Sequence, residues 1–162
     1  MANTVAPLQM KAQKNLIVRI PVDPAAPAGD TKDYQKHVSS MSITDNDPTT
    51  ISWKGGTDDA RVTDNVPPDV PAQCVMNVAQ DTDNPDSLWR FMRAHKGEQV
   101  TVIYKPNAAG TFGTKATIIL KAPALGGPTN QYNEATVTMD CLEYEDFDDA
   151  DGDGNPDDEP EA

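Results

Sequence analysis

Hydrophobic and polar residues alternate with a period of two along much of this chain. Glu134–Leu142 (EATVTMDCL) is the clearest case. Ala135, Val137, Met139 and Cys141 fall on one side, and Thr136, Thr138 and Asp140 on the other. That is the signature of an antiparallel strand with one packed and one wetter face. The same pattern predicts strands at 15–22 (NLIVRIPV), 37–44 (HVSSMSIT), 72–80 (AQCVMNVAQ), 99–105 (QVTVIYK) and 114–121 (TKATIILK). A short strand over 50–53 is ended by Gly55-Gly56, and 57–71 is read as a polar, Pro-rich stretch. Residues 23–36 (DPAAPAGDTKDYQK) form a long loop of the kind that is functional or disordered. Residues 1–13 read as an N-terminal arm.

One segment breaks the alternation. In DNPDSLWRFMRAHKGE the spacing predicts a helix over about 85–96, with Leu88, Trp89 and Met92 packing on the sheet beside Phe91. Asp83 or Asn84 is the expected cap, Pro85 fits the first turn and Gly97 the C-terminal exit. Asp86 at the positive end stands at i,i+4 from Arg90, and Arg93, His95 and Lys96 crowd the negative end. Strands with a single helix among them place the fold in the mainly β class: an antiparallel β-sandwich or barrel carrying one packed helix.

Charge divides the chain. Residues 141–162 hold 11 of the 26 acidic residues and none of the 13 basic ones, so residues 1–140 keep 15 against 13, a net of −2. A body this close to neutral has no basic footprint for nucleic acid. The aliphatic runs are too short to span a membrane, and MANTVAPLQMKAQKN lacks the apolar stretch of a signal peptide. Cys74 and Cys141 both sit in alternating stretches and read as buried small hydrophobes; a bridge between neighbouring strands is the alternative.

Catalytic patterns are missing. There is no GxGxxG, Walker A, GxSxG or HExxH sequence, and neither cysteine has a base nearby in sequence. His37 opens a strand and His95 ends the helix, which suits surface or capping roles. The expectation is a binding or building protein, not an enzyme, without catalytic residues or a cofactor.

From Gln80 to Asp140 the phrases PDSLWRFMRAHKGE, VTVIYKP, a GG loop and EATVT follow one another, and HVSSMSIT and TTISWKGG precede them. Over roughly residues 35–142 the chain resembles the tail tube (major tail) proteins of bacteriophages with long, non-contractile tails, especially phages of actinobacteria. The resemblance implies a structural virion protein, made in the bacterial host cytoplasm, that self-assembles into hexameric rings stacked as a tube for genome ejection. Its implied partners are other copies of itself, the tape measure protein, and the tail terminator and distal tail proteins. DNA would pass through without specific binding. In such a tube strands from neighbouring subunits close into one barrel, which removes exposed sheet edges.

The acidic end lies outside that resemblance. A domain over 14–144 followed by a disordered, solvating tail over 145–162, dispensable for folding, is expected from the charge density. Asp149, Asp151, Asp153 and Asp157 also alternate with glycines as in calcium loops, although the twelfth position from Asp149 is Pro160 where an EF-hand places a bidentate Glu. Weak calcium binding there, and with it a calcium-dependent extracellular binding or adhesion module, is the alternative reading.

Overall fold

A computed structural model of the chain describes residues 4–10, 15–26, 29–57 and 61–149. Its elements run β1 (Ile17–Pro21), β2 (Thr31–Asp33), β3 (Val38–Asp45), β4 (Thr49–Lys54), β5 (Arg61–Val66), β6 (Ala72–Ala79), α1 (Leu88–Ala94), β7 (Gln99–Lys105), β8 (Phe112–Ile119) and β9 (Glu134–Asp148). Among the described residues seven strands form one antiparallel sheet in the order β2-β1-β7-β8-β9-β6-β3, and β4 pairs with β5 in a second, two-stranded one.

The seven-stranded sheet cannot be flat. Its two edge strands, β2 and β3, are consecutive in sequence. Six interstrand spacings would set them about 29 Å apart in a flat sheet. The five steps from Asp33 to Val38 reach at most about 18 Å. The sheet therefore rolls, and a bond across the roll marks it: Tyr104 Oη on β7 donates to the Met41 carbonyl on β3 at 3.1 Å, although three strands separate them in the sheet order. No β2–β3 ladder closes the roll among the described residues, so it is an open half-barrel and not a closed one.

Inside the roll lie the alternate residues of its strands. Val18, Ile20, Val100, Val102, Ile118, Val137, Met139, Met76 and Val78 form one buried cluster. On β9 the packed face is Ala135, Val137, Met139 and Cys141, as the alternation predicts. Helix α1 covers one end of the cluster with Leu88, Trp89 and Met92, all buried. Trp89 Nε1 donates to the Ala124 carbonyl at 3.1 Å, and the Arg93 guanidinium lies 4.7 Å from the Trp89 ring centre.

Several expectations change. The helix begins at Leu88, not Pro85, because Ser87 caps it: the buried Ser87 Oγ accepts from Arg90 N. Asn84 is spent one turn earlier, its Oδ1 accepting from Asp86 N. Asp86 therefore stands outside the helix and pairs with Lys32 at 3.7 Å instead of Arg90. Gly97, with φ +85°, makes the turn out of the helix as expected. The long loop 23–36 contains β2, which pairs with β1, and Tyr34, which is buried in the core. The polar stretch 57–71 contains β5.

The largest change is at the end of β9. The strand runs on through Glu143, Glu145, Asp146 and Asp148 to residue 148, six residues past its predicted end, so the tail does not begin at 145. Carboxylates do not prevent a ladder, because the ladder is made by backbone groups and β8 supplies it. Residues 143–148 pair with 117–112, Lys115 stands opposite Glu145, and Thr114 Oγ1 donates to Asp146 Oδ1 at 2.8 Å.

Candidate assembly surfaces

Three local arrangements stand apart from the core: a projecting hairpin, a polar sheet face and a buried ion pair where β9 ends.

The β4–β5 hairpin leaves the roll between Asp45 and Ala72. At its root Asn46 N donates to the Pro71 carbonyl and Asn46 Nδ2 to the Val70 carbonyl. Paired residues share a face, so the register sorts the side chains. Thr49–Val66, Ile51–Asp64 and Trp53–Val62 lie on one face; Thr50–Asn65, Ser52–Thr63 and Lys54–Arg61 lie on the other. One face thus carries Ile51, Trp53, Val62 and Val66 with Asp64 and the Thr49 hydroxyl among them, and the other is hydroxylic and amidic with two cations at its tip. Every residue of both strands is exposed; Ile51 is 52%, Trp53 65% and Val62 64% accessible. A lone two-stranded hairpin is marginal in water. Alternation in RVTDNV across a Gly-Gly turn from TTISWK is the sequence signal that would have found β5.

The outward face of β3, β6 and β9 forms three cross-strand rows: Ser40–Asn77–Thr136, Ser42–Val75–Thr138 and Thr44–Gln73–Asp140. Thr136 Oγ1 donates to Asn77 Oδ1 at 2.7 Å. None of the three strands contains a lysine or arginine. The surface is small, hydroxylic and amidic, with carboxylates as its only full charges.

Beyond β9, Asp149 turns inward. Its Oδ2 accepts from Lys105 Nζ at 2.5 Å, and both side chains have no accessible surface. The Asp149 amide donates to the Thr111 carbonyl. The stem of Lys105 and the ring of Phe147 meet over Gly113, where an added Cβ would lie 2.5 Å from Phe147 Cζ and 3.0 Å from Lys105 Cγ. Asp149 thus holds the end of β9 as the counter-ion of the buried Lys105 ammonium. Asp151, Asp153 and Asp157 lie outside the described residues. Among the described residues no group of three or more His, Cys, Asp or Glu side chains comes together as a metal site.

The remaining singled-out residues are structural in placement. His95 is the C-cap, its Nδ1 2.5 Å from Glu98 Oε2, and it packs on Phe91. His37 meets Tyr34 edge-on. Cys74 and Cys141 are free, buried thiols on neighbouring strands, diagonal in register. Burial, helped by the proximity of Cys141, pushes the Cys74 thiol up to about 12. Burial also raises Cys141. Neither is an activated nucleophile.

No protein-family model and no curated protein matches the sequence. Among solved structures, a chain from the six-fold symmetrised cryo-EM structure of the anti-feeding prophage baseplate is similar over 88% of this chain and 97% of its own, at 12% identity and a TM-score of 0.46.

Proposed function

We propose that the protein is a structural subunit of a bacteriophage tail tube, which self-assembles into rings, hexameric by the family resemblance, that stack around the path of the genome. The observation that carries the reading is the β4–β5 hairpin. Its apolar face, with Ile51, Trp53 and Val62 each more than half exposed, is left uncovered by the described residues of the chain. Assembly is the economical account of such a face on an element too small to be stable alone. The tail-tube phrases across residues 35–142 name the kind of assembly.

Two further features fit. The half-barrel keeps open edges at β2 and β3, and unpaired edges are hazards unless a neighbour covers them. The cation-free face of β3, β6 and β9 suits a bore through which a polyanion must slide, because lysine or arginine there would hold phosphates. On this reading that face lines the lumen, the tape measure protein fills it before ejection, and the terminator and distal tail proteins cap the two ends. The protein builds and does not catalyse.

The test is electron microscopy and sedimentation of the purified full-length protein. Rings or tubes of uniform diameter are the expected result. A monomer that persists at millimolar concentration, alone and with the other tail proteins, would overturn the proposal.

A further inference from the structure

We infer that Lys105 and Asp149 are the two halves of an intramolecular isopeptide bond, which ties the end of β7 to the residue that follows β9. Both side chains have no accessible surface, and Lys105 Nζ lies 2.5 Å from Asp149 Oδ2. Local features hold them in that contact. The Asp149 amide donates to the Thr111 carbonyl at 2.6 Å, which fixes the backbone that carries the carboxylate. Phe147 stands opposite Gly113 in the β8–β9 ladder, two residues before Asp149. Gly113 has no side chain, so the Lys105 stem and the Phe147 ring close over it from the two flanking strands. A nucleophile and an electrophile oriented within one fold meet at an effective concentration on the order of 10⁵ M or more.

As an ion pair the two groups gain little, because their desolvation offsets their attraction. The amide removes both charges from the interior. A proton first passes from the Lys105 ammonium to the Asp149 carboxylate, giving an amine and a carboxylic acid, the neutral pair that a water-free site favours. Nζ then attacks Cγ. The Nζ–Cγ bond forms as one Cγ–O bond breaks, and that oxygen leaves as water with the acid proton and one proton from the nitrogen. The other amine proton stays on the amide nitrogen. No oxidant, metal or further reactant is consumed. With both groups shut away from solvent, hydrolysis back to acid and amine is slow. Until the amide closes, Lys105 and Asp149 remain the ion pair that holds the end of β9. Once closed, it joins β7 to the end of β9 across β8, so the rungs at 143–148 cannot fray without stretching a covalent bond. The inference does not depend on the assembly reading.

The experiment is the intact mass of the full-length protein, incubated folded at neutral pH and denatured before measurement. The expected result is a mass lower by one water, in a fraction that grows with incubation. Trypsin should then release residues 97–115 joined to residues 122–162, and fragmentation should place the link between Lys105 and Asp149. Asp149→Ala, which lacks the carboxyl group, should yield the two peptides apart. A mass that stays unchanged through incubation of the folded protein overturns the inference. So does a lost water that leaves the two peptides separate, as a succinimide at Asp151-Gly152 or Asp153-Gly154 would. A joined peptide that persists in Asp149→Ala overturns the assignment to this pair.

Discussion

Replacing Asp149 with alanine should be among the most damaging single changes in the chain. Asp149 and Lys105 are both fully buried, and the Lys105 ammonium receives its counter-charge from this carboxylate at 2.5 Å. Removing the carboxylate leaves a buried cation uncompensated, which costs about 3–5 kcal/mol. A domain of this size shifts its melting temperature by about 2–4 °C per kcal/mol, so Asp149→Ala should lower it by about 6–20 °C in circular dichroism or calorimetry. The pair as a whole is a different matter. Two desolvated charges roughly offset their own attraction, and an apolar replacement of similar volume is often neutral or stabilising. Lys105→Met/Asp149→Leu should therefore recover most of the loss. Truncation gives an independent check. A stop after Tyr144 removes the last rungs of the β8–β9 ladder together with the anion, whereas a stop after Ala150 keeps both. The first should melt at least as low as Asp149→Ala, and the second close to the full chain. If Asp149→Ala melts within about 2 °C of the wild type, or the double replacement melts as low as the single one, the pair does not anchor the end of β9.

Four further outcomes are expected. Trp89→Ala removes a buried indole that also bonds Ala124, and should cost about 3–5 kcal/mol; an unchanged denaturation midpoint in the isolated subunit would refute the helix packing. Gly113→Ala pushes a Cβ into Phe147 and the Lys105 stem and should destabilise by about 1–3 kcal/mol, an effect that Phe147→Ala in the same chain should partly relieve. Because the Cys74 thiol is held at about 12 against an ordinary 9.0, the folded state keeps its proton longer than the unfolded one; stability should be flat below pH 9 and fall as pH rises from about 9 toward 12, and a thiol reagent at pH 8 should label Cys74 only after denaturant is added. Thr138→Lys on the exposed face of β9 should change stability by no more than about 0.5 kcal/mol; on the tail-tube proposal, phage carrying it should assemble tails but plate poorly, and normal plating would count against that face lining a bore.

What the sequence determined by itself is the periodic part. Alternation located β1, β3, β6, β7, β8 and the first half of β9 to within a few residues, and it sorted Ala135, Val137, Met139 and Cys141 to the inside, because a pleated strand with one buried face has no other way to hide its apolar set. The spacing of Leu88, Trp89 and Met92 located the helix for the same reason. What only tertiary structure decided is everything that depends on a partner strand far away in the chain. The segment EYEDFD looks like a solvated tail by composition, and it is a strand because β8 has backbone groups to pair there. TKD looks like loop and is an edge strand because β1 lies beside it. The role of Asp149 followed from its position against Lys105, 44 residues away, which no local pattern encodes. Charge density describes how a segment meets water when nothing else is near; a ladder or a buried counter-ion changes what is near, and the fold alone supplies those.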